Sequence, residues 1–286
     1  MAQDRRRFLA TCGAAVLGAS WPYALAGLLA DRKQARIPRI GIQLYTVRRL
    51  ASANLGATLA RLATIGFKEV ELAGSYNQPA KSFRTLLERN GLTAPSGHIA
   101  LELIEKDPLR TFDDAHTIGH EWITVPSLPR GQHESKDDWK RVAERFNGAA
   151  STVKAAGFRF AFHNHNDIVR SANGILPVDI LMRETDPSLV FYQMDIYWAV
   201  SGGADPVGLL TRYPGRFRMV HVKDGRPPYT DASQTDLGQG TIDFRRIFAA
   251  AKDTEHYFME SDSASDPMQF AKSGYQFLNK LEWPSS

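Results

Sequence analysis

Cysteine is almost absent from this chain of 286 residues, in which Cys12 is the only one. It lies within the first 26 residues, which have the pattern of a removable export segment. The remaining chain would then contain no disulfide, no thiolate metal ligand and no cysteine nucleophile. Any metal site or catalytic group must therefore be built from histidine, carboxylate, lysine, amide or hydroxyl side chains.

The amino-terminal segment predicts export. A basic stretch at residues 1–7 precedes mostly small apolar residues, and residues 24–26 (ALA) fit a signal cleavage site. Residues 5–9 (RRRFL) resemble the twin-arginine consensus, which implies that the twin-arginine machinery exports the folded protein to the periplasm or the outside. A Sec signal and a retained anchor are the alternatives. We expect residues 1–26 to be the signal and residues 37–286 to form the folded domain.

The chain also lacks a strong charge of either sign. It has 35 Lys and Arg against 31 Asp and Glu, a net charge of +4. The predicted signal carries three arginines and one aspartate, which leaves about +2 for the remainder. This near-neutral balance provides no electrostatic footprint for nucleic acid. Since 43% of the residues are hydrophobic, the chain has enough apolar side chains for a sizeable core.

Short apolar runs alternate with helix-like segments along the whole chain. Eight predicted strands cover residues 39–45, 67–72, 93–98, 122–125, 158–163, 189–195, 217–222 and 257–260. Eight strand–helix units in this length predict a single-domain α/β fold, the (β/α)8 TIM barrel. An open doubly wound sheet is the alternative, but no G-x-G-x-x-G motif follows the first strand.

In a TIM barrel the active site is built where the strands end, so polar residues at those ends are the first candidates. Strand 5 runs into the stretch AFHNHND, residues 161–167. Because side chains alternate along a strand, His163 and His165 would point into the barrel mouth while Phe160 and Phe162 face the helices. Asn164 would brace the turn. The alternative is that AFHNHND is an ordinary loop.

Strands 5 to 8 end in metal-competent residues: His163, Asp195, His221 and Glu260. A single histidine near a strand end is more often structural, but four such residues around one barrel point to a metal site. Two imidazoles and two carboxylates form a mixed nitrogen and oxygen shell that suits Mn²⁺, Co²⁺, Zn²⁺ or Fe²⁺ rather than Ca²⁺.

Other polar residues near the strand ends are candidates for catalysis or substrate binding. Glu71 and His98 are candidate acid–base groups, with a barrel salt bridge and a structural histidine as the alternatives. Lys223 shares the inward face with His221 and could neutralise an oxyanion; an ion pair with Asp224 or Asp262 is the alternative. Gln43 and Tyr45 could donate hydrogen bonds to a substrate, and Tyr45 could instead be rim packing.

Seven stretches carry a family resemblance: GIQLYTVR (41–48), FKEVELAG (67–74), FHNHND (162–167), MDIYWAVSGGADP (194–206), VHVKD (220–224), LGQGTIDF (237–244) and MESD (259–262). Together they resemble the sugar phosphate isomerase/epimerase family of xylose isomerase-like TIM barrels. The resemblance implies one divalent metal ion, Mn²⁺, Co²⁺, Zn²⁺ or Mg²⁺, at Asp195, His221 and Glu260. The strand-5 ligand would be His163, where many relatives have glutamate, with His165 bound to the metal or the substrate.

Two further positions differ from the family pattern. Many relatives carry an acidic residue a few positions after the strand-5 histidines, where this chain has Ile168. Many also have D-x-x-H after strand 6, where this chain has Trp198. An indole at that position could stack on a sugar face.

The mechanism that the resemblance implies is proton removal next to a carbonyl, with metal stabilisation of the enediolate. Glu260 could be both ligand and proton acceptor. Because export argues against a phosphorylated substrate, we expect an isomerase or epimerase acting on a free sugar or keto-sugar. A keto-glycoside lyase or hydrolase, a non-catalytic carbohydrate-binding barrel and an endonuclease are the alternatives. We expect no nucleic-acid partner, and homo-oligomer formation is left open.

Overall fold

The computed structural model describes residues 34–129, 131, 133–171 and 174–284, and eight parallel strands closed into a barrel form its centre. The strands are β1 Ile40–Gln43, β2 Glu69–Leu72, β3 Thr93–His98, β4 Trp122–Val125, β5 Arg159–His163, β6 Val190–Asp195, β7 Phe217–Val222 and β8 His256–Met259. The predicted signal, residues 1–26, lies outside the described residues.

The strands pair in chain order around the barrel, and β8 closes it on β1. In the closing pair Tyr257 is in register with Ile40, and Met259 with Ile42. All eight barrel pairings are parallel, as a helix after each strand requires. The TIM-barrel prediction is therefore confirmed, and the open doubly wound sheet, which needs unpaired edge strands, is wrong.

Helices surround the barrel within the described residues. Their bounds are α1 Arg48–Ala53, α2 Leu55–Ile65, α3 Ala80–Arg89, α4 Leu101–Lys106, α5 Pro108–Ile118, α6 Lys136–Ala155, α7 Pro177–Glu184, α8 Ile196–Ser201, α9 Pro206–Arg212, α10 Phe244–Ala250 and α11 Pro267–Lys280. Ser135 and Asp138 form a capping box at the start of α6. None of these helices is long and apolar enough to cross a membrane.

The pleat of β5 divides the core into two layers, as its alternation predicts. Phe160 and Phe162 point outward and pack against Phe146 of α6, with ring centroids 5.6 and 4.8 Å apart. Ala161 points inward and joins a separate buried cluster inside the barrel with Trp122, Met219 and Phe258. This apolar plug fills the lower interior, so the polar ends of the strands lie above it.

Gly41 of β1 lies against this plug. A Cβ at Gly41 would be 2.5 Å from Cδ1 of Phe258, closer than any real carbon contact. We expect Gly41→Ala to lower the free energy of unfolding by about 1–3 kcal/mol, because the added methyl overpacks the barrel. Urea unfolding measures this change.

Gly148 provides the matched control for the same substitution. It is exposed in α6, and a Cβ there would have no atom within 4 Å. Gly148→Ala should raise the free energy of unfolding by roughly 0.5–1 kcal/mol because alanine is the better helix former. Equal effects of the two substitutions would contradict the packing argument.

Candidate active site and metal centre

A cleft of about 1170 Å³ opens at the carboxyl ends of the strands. Its inner wall carries residues from β3, from the ends of β5 and β7, from helix α8 after β6 and from the loop after β8. These residues are His98, His163, His165, Trp198, Lys223 and Glu260. Most of the candidate residues named from the sequence therefore meet in one cleft.

The four predicted metal ligands lie together: His163 and Glu260 line the cleft, and Asp195 and His221 are fully buried beside them. Nδ1 of His221 is 2.7 Å from Oε2 of Glu260 and 4.0 Å from Oδ2 of Asp195. Nε2 of His163 is 3.9 Å from the same Asp195 oxygen. All four side chains are buried. Barrel closure has brought side chains from four consecutive strand ends around one small volume.

A second layer of hydrogen bonds orients the two imidazoles. Nε2 of His221 contacts Oε2 of Glu71, and Nδ1 of His163 donates to Oε1 of Gln193 at 3.0 Å. Gln193 also donates to Oε1 of Glu71 at 2.7 Å. These contacts leave Nδ1 of His221 and Nε2 of His163 facing the carboxylates. Metal-binding histidines are oriented in the same way, by a carboxylate or carbonyl on the other ring nitrogen.

Glu71 and Gln43 do not line the cleft, and their predicted roles in catalysis and substrate binding stay predictions. Both side chains are fully buried. Glu71 accepts hydrogen bonds from Gln43 Nε2 at 2.8 Å and from Ser96 Oγ at 2.5 Å. Neither residue lines the cleft, although Nε2 of the cleft residue His98 is 3.3 Å from Oε2 of Glu71. Glu71 therefore positions His221 and does not reach the cleft.

Burial and neighbouring charges of opposite sign set the pKa values of Glu71, His221 and Glu260. Burial raises the pKa of Glu71, but the nearby imidazoles of His98 and His221 outweigh it and hold the pKa at about 2. Burial lowers the pKa of His221, but Glu260 and Glu71 together raise it to about 10. Burial raises the pKa of Glu260, yet Lys223 and His221 hold it well below its usual range. Both glutamates are ionised at neutral pH.

The residues at this centre fit a divalent metal ion. Asp195, His221 and Glu260 each offer a ligand atom, and these atoms lie within 4.8 Å of one another. Oδ2 of Asp195 is buried and accepts no hydrogen bond within the described residues, although Lys223 Nζ is 2.9 Å away. Nitrogen and carboxylate donors in this ratio suit Zn²⁺, Mn²⁺, Co²⁺ and Fe²⁺. His98, His163 and His221 form an overlapping group of the same size.

Lys223 is the buried cation of the site. Its Nζ lies 2.9 Å from Asp195, from Glu260 and from Asp262. Burial lowers the pKa of Lys223, but these carboxylates outweigh it and raise the pKa, so the ammonium stays charged. The ion pair with Asp262 was one of the sequence alternatives. Asp224, the other predicted partner, instead accepts the backbone N–H groups of Gly238 and Gly240.

The remaining candidates lie along the cleft wall. Trp198 has its peptide N–H bound to Asp195 Oδ1 at 3.0 Å, and its ring is 5.8 Å from that of His165. Only 8% of Trp198 is exposed. His98 is a wall residue whose Nε2 donates to Gln193 at 3.0 Å. Asn164 accepts the Asp195 N–H at 2.9 Å, which confirms its bracing position.

Tyr45 is at the rim and does not lie on a strand. The predicted first strand, residues 39–45, ends at Gln43, and a 3-10 turn occupies Leu44–Val47. The side chain of Tyr45 is consequently 42% exposed and lines the cleft. Ile168 is buried in the core, and Asp167 beside it is 52% exposed, 3.6 Å from His133.

Sequence reasoning missed Gln193 and Gln234. Gln193 is two residues before Asp195, so strand alternation alone places it on the same inward face. Gln234 donates to Asp262 at 2.7 Å, and that carboxylate holds Lys223. No sequence spacing links Gln234 to Asp262, because the loop after β7 folds back over the site.

The family model for the xylose isomerase-like TIM barrel matches residues 59–281. The chain belongs to this family. Among curated relatives, the inosose dehydratase of Geobacillus kaustophilus is 27% identical over 267 residues, covering 78% of this chain and 86% of the relative.

Solved structures share the same barrel. A sugar phosphate isomerase/epimerase from Parabacteroides distasonis is 25% identical with a TM-score of 0.74, covering 85% of this chain and 98% of that one. The IOLI protein, solved with a zinc atom, is 14% identical with a TM-score of 0.66, covering 85% of this chain and 95% of that one. The second likeness shows the fold alone.

Metal content tests the shell directly. We expect about one divalent ion per folded chain in the wild type, and its loss in His221→Ala and in Glu260→Ala, because each substitution removes a donor atom. Elemental analysis of purified protein after reconstitution measures this. His116→Ala, an exposed histidine of α5, is the control and should keep the ion. No stoichiometric ion in the wild type would refute the metal centre.

The positioning role of Glu71 is tested by Glu71→Gln. Loss of the carboxylate behind His221 should weaken metal binding roughly 10–100-fold, as measured by competition with a chelator. Glu69→Gln is a matched control on the same strand. Glu69 is also buried and also contacts a histidine, His256 at 2.9 Å, but at the far end of β2. Equal losses in both variants would show a general effect of burial.

Proposed function

We propose that this protein is a divalent-metal-dependent enzyme that removes the proton next to a carbonyl of a non-phosphorylated keto-sugar or cyclic keto-polyol, and then expels a β-leaving group. The observation that carries the proposal is the buried group of His163, Asp195, His221 and Glu260 at the base of a large cleft. The curated inosose dehydratase relatives support an enzyme that acts on a sugar-like keto compound. The neutral mature charge and the predicted export support a non-phosphorylated substrate.

A bound metal ion, held by these four residues, would polarise the substrate carbonyl. The carboxylate of Glu260 borders the cleft, where it would accept the proton from the carbon next to the carbonyl as well as bind the metal. The ammonium of Lys223 also borders the cleft, where it can stabilise negative charge on a substrate oxygen. Trp198 and His165 orient the ring that carries the reacting carbon.

Elimination is favoured over epimerisation by the position of the carboxylates. Epimerisation requires a second acid–base group on the opposite face of the substrate. The strand-5 position holds His163 where many relatives have glutamate, and Glu71 is buried below the floor. In elimination one C–H bond and one β C–O bond break and a C=C bond forms; Glu260 takes the proton and passes it to the leaving oxygen, which departs as water or an alcohol. An unsaturated ketone remains.

An isomerase or epimerase is the second candidate, supported by the solved isomerase/epimerase with a TM-score of 0.74. For such an enzyme His165 would replace the missing carboxylate. Burial lowers the pKa of His165 and leaves a neutral imidazole on the cleft wall, able to accept a proton. A purely carbohydrate-binding barrel has less support, because it gains nothing from four buried metal ligands.

The proposed chemistry is tested by incubating the metal-loaded protein with keto-sugars and keto-inositols in deuterium oxide. We expect deuterium exchange at the carbon next to the carbonyl and the ultraviolet absorbance of an unsaturated ketone. Glu260→Gln should lower the rate by roughly 10²–10⁴-fold, because the proton acceptor is lost.

Glu88→Gln, on the exposed face of α3, is the control and should keep the full rate. Exchange without an unsaturated product would favour the epimerase. Neither exchange nor an unsaturated product with any substrate, from a metal-loaded protein, would refute both candidates.

A further inference from the structure

The cleft is much larger than one sugar ring. A hexose has about twelve non-hydrogen atoms, and at the roughly 30 Å³ that a water molecule occupies in the liquid it fills at most about 360 Å³. The cleft holds about 1170 Å³ and extends from Glu260 at its base to Tyr45 at its rim. A single ring bound at the proposed metal centre would leave most of this volume to solvent.

An aromatic ring is presented to that free volume. Within the described residues three large hydrophobic side chains are exposed: Tyr45, Leu103 and Leu109. Of these, only Tyr45 lines the cleft. An exposed aromatic ring in a cleft offers a flat apolar face and a hydroxyl, and both suit a ligand with apolar and polar edges.

Arg48 holds this ring in place. Its guanidinium lies 4.0 Å from the centre of the Tyr45 ring, within cation–π range. The same guanidinium donates to the Tyr45 carbonyl at 2.7 Å and to the Asp262 carbonyl at 2.9 Å. Arg48 therefore covers one face of the ring and ties it to the loop after β8. An aromatic side chain fixed in this way loses little conformational freedom when a ligand binds.

These contacts also connect the rim of the cleft to the polar side chains at its base. The carboxylate of Asp262 holds Lys223 at 2.9 Å, and Lys223 in turn lies 2.9 Å from Glu260. The Tyr45 ring is thus connected through Arg48 and Asp262 to the side chains at the base of the cleft. A ligand long enough to reach both would contact the Tyr45 ring and the side chains at the base of the cleft, whose relative positions are fixed.

We infer that Tyr45 and Arg48 form a second subsite, which binds the ring attached through the glycosidic oxygen, so that the substrate is a glycoside of at least two rings. The inference rests on the proposed function for the ring at the metal centre. The C–H face of a second sugar, or the face of an aromatic aglycone, stacks on the uncovered face of Tyr45. The subsite selects two-ring glycosides over free monosaccharides.

The experiment measures binding and needs no turnover. Fluorescence of Trp198 and Trp139, which line the cleft, reports binding of unreactive matched pairs. Each pair is a methyl glycoside and the disaccharide or phenyl glycoside of glucose, galactose or mannose. We expect the two-ring member of at least one pair to bind roughly 3–30-fold more tightly in the wild type. Disaccharide and phenyl members distinguish a second sugar from an aromatic aglycone.

Substitutions at Tyr45 and Arg48 test whether these residues cause the preference for the two-ring ligand. Tyr45→Ala should abolish it and leave the affinity for the methyl glycoside unchanged, whereas Tyr45→Phe should keep it. Arg48→Met should reduce the preference without changing methyl glycoside binding, a selective effect that general destabilisation would not produce. Leu109→Ala, which is exposed outside the cleft, is the control.

No preference for the two-ring member in any pair, or a preference that persists in Tyr45→Ala, would overturn the subsite. The two proposals can fail separately. Deuterium exchange into keto-sugars without a two-ring preference would refute the subsite alone. A two-ring preference that depends on Tyr45, with neither exchange nor an unsaturated product from the metal-loaded protein, would refute the elimination chemistry alone.

Discussion

The carboxylate of Glu71, buried at the centre of the barrel, is the group on which the arrangement of the site depends. It contacts His221 on one side and accepts hydrogen bonds from Gln43, Ser96 and Gln193. A buried charge of this kind is tolerable only when each oxygen has partners, and removing one partner from such a pair costs about 3–5 kcal/mol. The network therefore holds its members in one geometry.

That geometry determines which atoms the cleft presents. Glu71 contacts one ring nitrogen of His221, and Gln193 contacts one ring nitrogen of His163. The other nitrogen of His221 therefore faces Glu260 and Asp195, and that of His163 faces Asp195. A site whose ligands are already oriented binds a metal ion without reorganising its side chains. The apolar plug fills the barrel beneath these polar side chains, and the stagger of the strands sets the depth at which each of them lies.

The sequence predicted the barrel, and the clustering of His163, Asp195, His221 and Glu260, better than it predicted the positions of the surrounding residues. Alternation along β5 placed His163 inward and the phenylalanines outward, because that choice is local and follows from the pleat. The depth of Glu71 could not be predicted in this way, since it depends on the stagger between strands. Nor could the turn at Tyr45, which replaces the last two residues of the predicted strand. Gln234 meets Asp262 only through the return of a loop.

The sequence by itself determined the class of fold, the absence of cysteine after Cys12 and the donor types available for a metal in residues 13–286, because composition and period-2 patterning are properties of short stretches. The tertiary structure alone decided which polar side chains reach the cleft and which lie beneath it. It also decided that Lys223 contacts three carboxylates and that Tyr45 is held at the rim by Arg48. The physical reason is that closure of the barrel sets the stagger of its strands, and that stagger places each inward side chain at its own depth.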